Sequence, residues 1–219
     1  MFVKLFDRQF TRLFYAPSEW WKIIPPVVAY QPVGSASLAD SYVNLANPGT
    51  YDAALGVAPT WDVVNGWIFN GSSQYLNTGF LPDINTTIII KYSNLTDTVV
   101  AQSIAGAYVN SASRSYMVCY PTYTRYNFND KFENHSVAAI TSGVRAINKD
   151  GGFYNGTKVV TFTGAAAQTA ETPIVYIGAY NKAGSADDFA GVYVQSFGIY
   201  AQALTTAQIL SISNAMEAI

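Results

Sequence analysis

The chain has 219 residues, half of them hydrophobic, 15% aromatic and only 12% charged, with a formal net charge of −2. That length suits a single β-sandwich or barrel, and the absence of clustered Lys and Arg excludes a nucleic-acid groove, which must neutralise phosphates. Cys119 is the one cysteine, so no intrachain disulfide is available, and no run reaches the ~18 apolar residues of a membrane-spanning helix.

Residues 1–26 read as a separate leader. Phe2, Leu5, Phe6, Phe10, Leu13 and Phe14 recur near helical spacing, with Lys4, Asp7, Arg8 and Arg12 between them. Those charges interrupt any signal-peptide core. Ala16-Pro17-Ser18-Glu19 breaks the pattern, with Ser18 in position to N-cap a short helical turn, and Trp20-Trp21 leads into the extended Pro25-Pro26. So many aromatics in water would form an exposed patch. Either they fold back on their own domain, or Phe2, Phe6, Phe10, Phe14, Trp20 and Trp21 form a docking arm for a neighbouring subunit.

From Val27 onward, through residue 219, the sequence is made of short β-type runs bounded by Gly, Pro, Asn and Asp. Strands are expected over residues 27–30, 86–92, 115–120, 137–141, 144–148, 174–179 and 192–200. Asn155-Gly156 is the type I′ turn of a hairpin over residues 153–160. His135, the only histidine, is expected in a loop. Thr205 can N-cap a terminal helix whose apolar stripe is Ile209, Ile212, Met216 and Ile219. With so few charges, the surface must be built from Ser, Thr, Asn, Gln, Gly and Tyr, which suits close packing or hydrogen bonding to a neutral polar ligand.

Two stretches carry a resemblance. The first is Gly66-Trp67-Ile68-Phe69-Asn70-Gly71 with Tyr75-Leu76. The second runs from Tyr176-Ile177-Gly178 through Phe189-Ala190-Gly191-Val192 to Gly198-Ile199-Tyr200, then Leu204-Thr205-Thr206-Ala207-Gln208-Ile209. Together with the Asn155-Gly156 hairpin they resemble the laminin-G-like, concanavalin A-like jelly rolls. The resemblance implies an all-β fold: a two-sheet antiparallel jelly-roll sandwich with a short N-terminal arm and a short C-terminal helix. Domains of this kind often hold one Ca²⁺ at a loop rim, and the matching candidates are Asp187 and Asp188, with Asp130 as a further acid. Against a metal, they sit in turns where solvated acids are ordinary.

Catalysis finds little support. The glycosidases of this fold need paired strand-borne carboxylates, whereas Glu19, Glu133, Glu171 and Glu217 are expected in the leader, in loops or in the last helix. A triad or lyase cluster would have to be built on His135 alone. For binding, Tyr120 to Asn129 has a stacking composition, with Tyr123, Arg125, Tyr126 and Asn129 the candidate surface for a glycan or a protein partner. The main expectation is a non-enzymatic virion subunit of a bacteriophage, structural or decorating. It would be held to other virion proteins, or to copies of itself, through the arm and display the sandwich at the particle surface. The alternative is a glycan-binding module of a tail or adhesin, working extracellularly on a polysaccharide.

Overall fold

The computed structural model describes residues 19–96, 100–137, 140–169 and 173–219. Phe2, Phe6, Phe10 and Phe14 lie outside the described residues. A 3-10 turn at Trp20–Lys22 opens the chain, followed by β1 (Val28–Tyr30), α1 (Leu38–Ser41), β2 (Ala54–Val57), β3 (Thr60–Asp62), β4 (Gly66–Ile68) and β5 (Tyr75–Asn77). Next come β6 (Thr87–Ser93), β7 (Gln102–Asn110), β8 (Ser113–Cys119), β9 (Thr124–Phe128), β10 (Lys131–His135) and β11 (Gly143–Asn148). The last elements are β12 (Gly151–Tyr154), β13 (Thr157–Thr161), β14 (Tyr176–Ile177), β15 (Tyr180–Lys182), β16 (Ser185–Asp187), β17 (Tyr193–Tyr200) and α2 (Thr206–Glu217).

Among the described residues the strands form two sheets. One has the order β13-β12-β11-β6-β17-β4-β3, with β1 also on β17; the other runs β10-β9-β8-β7-β14-β5-β2, with β15 and β16 at its side. Every pairing is antiparallel except β15 on β7. This is the expected two-sheet sandwich. Alternation along the strands sends Trp67, Leu76, Ile88, Ile90, Met117, Phe128, Ile177 and Phe197 into the core between the sheets, all at most 1% exposed.

The two resemblance stretches meet in space. Phe69 N donates to Val192 O at 3.0 Å, and Ala190 N donates to Gly178 O at 2.8 Å. Gly178 takes φ +82°, and a Cβ there would lie 2.4 Å from the Phe69 ring. The motif is thus a packing contact that closes the sandwich.

A second core covers the outer face of the first sheet. Ala29, Ile89, Val144, Ala146, Phe153 and Tyr200 point outward from their strands and pack against Ile209, Ile212 and Met216 of α2. Thr205 N-caps that helix through Gln208 N, and the Gln208 side chain answers to Thr205 N, a capping box. Lys91 Nζ reaches Ile219 O at 3.2 Å and Glu217 O at 3.4 Å, a cation at the helix C-terminus.

Trp20 corrects one expectation. It is fully buried in this second core, so the docking arm does not extend to it; Trp20 serves its own domain. Other expectations also shift. His135 lies on strand β10, as does Glu133, since β10 pairs with β9 from Lys131↔Phe128 to His135↔Thr124. None of the described residues within 137–141 is in a strand, because β11 begins only at Gly143. The Asn155-Gly156 turn has φ 46° and 75°, as a type I′ turn requires.

Candidate functional site

The outer face of the second sheet has no covering helix among the described residues. Register assigns its side chains. Phe132 pairs with Asn127, Asn127 with Tyr116, Tyr116 with Gly106, Gly106 with Tyr176, and Tyr176 with Asn77; paired residues share a face. Residues two along join them: Arg125, Asn134, Arg114, Tyr108 and Tyr75. The opposite parity, with Thr124, Tyr126, Phe128, Met117 and Leu76, faces the core.

Aromatic rings tile this face. Tyr116 stacks on Tyr180 with centroids 4.8 Å apart, and Tyr108 meets both edge-on. Gly106 makes the room: a Cβ there would sit 2.1 Å from the Tyr116 Cβ. Tyr75 lies 4.7 Å from Tyr176. At the other end Tyr120 and Tyr123, both partly exposed, stack at 4.5 Å, and the Arg125 guanidinium lies 5.7 Å from each ring. Arg125 is also 5.1 Å from the Phe132 ring, and Arg114 is 5.7 Å from the same ring. Phe132 is 52% exposed, unusual for a phenylalanine on a sheet face.

Burial raises the Tyr116 and Tyr120 hydroxyls above their ordinary value of 10.0, against the opposing pull of Arg114 and Arg125 respectively. Both therefore remain protonated donors at neutral pH. The face offers π surfaces, hydroxyls, side-chain amides and two guanidiniums, which is what a polar, partly apolar ligand such as a sugar requires.

Of the candidates read from sequence, the structure brings Tyr123 and Arg125 together at this face and removes two others. Tyr126 is fully buried. Its hydroxyl accepts from Arg145 Nη1 at 2.8 Å and donates to Phe153 O at 3.0 Å. Asn129 is 1% exposed, in a left-handed turn conformation (φ 48°), with Nδ2 donating to Ala166 O at 2.8 Å. Neither can meet a ligand. Arg114, Tyr116, Tyr120, Phe132, Asn134 and Tyr180 belong to the face and were not singled out from sequence. The alternation Arg114-x-Tyr116 and the pair Phe132-x-Asn134 carried the signal.

The calcium candidates do not fit a metal. Asp187 Oδ2 is held by Lys182 Nζ at 2.7 Å and by the Tyr180 hydroxyl at 3.3 Å, and the Lys182 hydrogen bond keeps its carboxyl below the ordinary 3.8. Asp188, φ 49°, has its carboxyl raised by burial and by the charge of Asp187. Asp130 pairs with Lys131 at 2.7 Å. Among the described residues no group of three or more His, Cys, Asp and Glu side chains converges. An oxygen already neutralised by an ammonium is a poor ligand for a divalent cation.

Trp21 is half-buried and lines a separate shallow cleft of about 280 Å³ with Lys22, Pro25, Leu45 and Ala46.

The fold defines the class: a two-sheet antiparallel jelly-roll β-sandwich. No protein-family model matches the sequence, and no curated protein matches it. Solved structures do. The Trypanosoma rangeli sialidase in complex with 2,3-difluorosialic acid is similar at TM-score 0.63 and 13% identity, over 88% of this chain and 33% of that one. The same enzyme with the inhibitor DANA gives TM-score 0.60 and 14% identity, over 85% and 32%. The Ruminococcus gnavus IT-sialidase CBM40 gives TM-score 0.49 and 16% identity, over 59% and 82%. The chain spans about a third of the length of the Trypanosoma sialidase, and the likeness shows a shared fold.

Proposed function

We propose that this chain is a non-catalytic glycan-binding module, and that its sugar lies along the tyrosine face of the uncovered sheet. The observation that carries this reading is the partly exposed Tyr120–Tyr123 stack with Arg125 beside both rings. The C–H face of a pyranose packs on such rings while its hydroxyls bond to Arg125, Asn134 and the tyrosine hydroxyls. A binding role also suits the acids present. Glu133 stands on an edge strand with its side chain exposed, and the nearest acid in sequence, Asp130, is neutralised by Lys131.

Display of the sandwich on a virion is a separate proposal. It now rests on Phe2, Phe6, Phe10 and Phe14, because Trp20 is buried inside the domain and Trp21 packs, partly buried, against the same core.

Affinity electrophoresis through gels containing polysaccharides tests the reading. The full chain is expected to be retarded, and the Tyr120→Ala/Tyr123→Ala variant to migrate as in a sugar-free gel while keeping the wild-type circular dichroism spectrum. Equal retardation of a folded double variant would move binding away from this face.

A further inference from the structure

The tyrosine face carries an imbalance of charge that a neutral sugar leaves unused. The ion pairs of the strands that border it are Lys131–Asp130 and Lys182–Asp187, each at 2.7 Å. Arg114 and Arg125 have no carboxylate within ion-pair distance among the described residues. Each directs its Nε–H to an uncharged acceptor inside the protein, Arg114 to Asn129 O at 2.8 Å and Arg125 to Asn134 Oδ1 at 3.1 Å. Both guanidiniums lie against the one exposed ring of Phe132, so two like charges are gathered at one spot. Asn127 shares this face, paired in register with Phe132, but is 1% exposed, so the two guanidiniums are the donors a ligand can reach at this spot. Glu133 alternates to the other side of β10, and Asp188 lies beside Tyr120 with its carboxyl pushed toward the neutral form by burial.

We propose that the sugar bound here is carboxylated, a uronic- or ulosonic-acid residue of an acidic polysaccharide. Its ring stacks at Tyr123 and its carboxylate lies between Arg114 and Arg125. This inference rests on the glycan-binding reading and narrows it. Two parallel N–H bonds from a planar guanidinium match the two oxygens of a carboxylate, which gives both charge and geometry. An acceptor-only group also complements a spot where two guanidiniums present donors.

The test uses the full chain and three acidic polysaccharides, polygalacturonate, hyaluronate and polysialic acid, each beside its methyl-esterified form. The ester keeps the ring and removes the charge. Retention is expected on at least one acid and weaker by about tenfold to a hundredfold on its ester, the span of a charge-assisted pair of bonds. It should also weaken between about 0.1 M and about 1 M salt, over which the Debye length falls from about 10 to about 3 Å. Arg114→Gln/Arg125→Gln should lose the preference for the acid while keeping the residual binding of the ester. Should that variant misfold, the acid-against-ester comparison on the wild type decides alone. Equal binding of acid and ester, or retention on neutral polysaccharides only, overturns the carboxylate inference and leaves the glycan reading standing. No retention on any polysaccharide, acidic or neutral, removes both.

Discussion

The two sheets of this sandwich are built alike on the inside and oppositely on the outside. Sheet β13-β12-β11-β6-β17-β4-β3 carries apolar side chains on both faces, and its outer set, Ile89, Val144, Ala146, Phe153 and Tyr200, is sealed by Trp20 and α2. Sheet β10-β9-β8-β7-β14-β5-β2 has the same apolar inner face, but its outer face holds Tyr, Arg and Asn, with Phe132 left in solvent. Covering a sheet stabilises it through burial, roughly 25 cal/mol per Å² of apolar area. Among the described residues, the second sheet's outer face keeps large rings without such a cover. The same contrast holds for arginine. Arg145 is fully buried, with Nε and Nη1 bonded to the Tyr92 and Tyr126 hydroxyls at 2.8 Å each, and it ties the two sheets together. Arg114 and Arg125 stand over rings at the surface, where their charge can be used by a ligand.

The largest effect expected from this comparison falls on the covered sheet. Trp20→Ala should cost about 3–5 kcal/mol, the usual loss for a fully buried large aromatic, read by denaturant unfolding. A loss below about 1 kcal/mol would mean that Trp20 is not part of the domain's core. Thr205→Ala removes half of the capping box and should cost about 0.5–2 kcal/mol by the same measurement. On the open sheet the expectation reverses. Phe132→Ser, at a half-exposed position, should change stability by less than about 0.5 kcal/mol while reducing polysaccharide retention. A large stability loss there would make the open face structural.

The smallest effect is in pH. His135 sits beside Tyr154, and burial together with the Arg145 charge lowers its pKa below the ordinary 6.5. Between that lowered value and 6.5 the unfolded chain binds more protons than the folded one. Stability is therefore full above 6.5 and declines as the pH falls through this window. Thermal melts at pH 7 and pH 5 should show a slightly larger drop for the wild type than for His135→Gln. An equal drop would mean that His135 does not contribute.

Much of this was legible from the sequence. Phe69-Asn70-Gly71 and Phe189-Ala190-Gly191 announced the fold because they are its own closing contact, and a contact between two glycine-bearing loops leaves a pattern in the sequence. The terminal helix was legible for a local reason, since Thr205, Gln208 and the Ile209, Ile212, Met216 stripe lie within one element. The face was only half legible. Tyr123 and Arg125 share a parity along their strand, and Tyr126 has the other. Strict period-2 reading places Tyr126 in the core with Phe128, where Arg145, distant in sequence, bonds its hydroxyl. Asn129 has the outward parity, but the left-handed turn at that position breaks the alternation and tucks it under Arg114. Phe132, Tyr116 and Tyr180 come from three separate strands, and only register brings them onto one face. Strand β7, the spine of that sheet, lacks a strong apolar alternation because Gly106 and small side chains make way for tyrosines from its neighbours.

The most direct test of the open face as the binding face is a backbone amide chemical-shift titration of the full chain with the polysaccharide fragment that retains it best. The account predicts that shifts concentrate on Arg114, Tyr116, Tyr123, Arg125 and Phe132, with α2 and the strands beneath it unmoved. Shifts gathered instead around Trp21, Pro25, Leu45 and Ala46 would place binding in the cleft beside the covered sheet and contradict it.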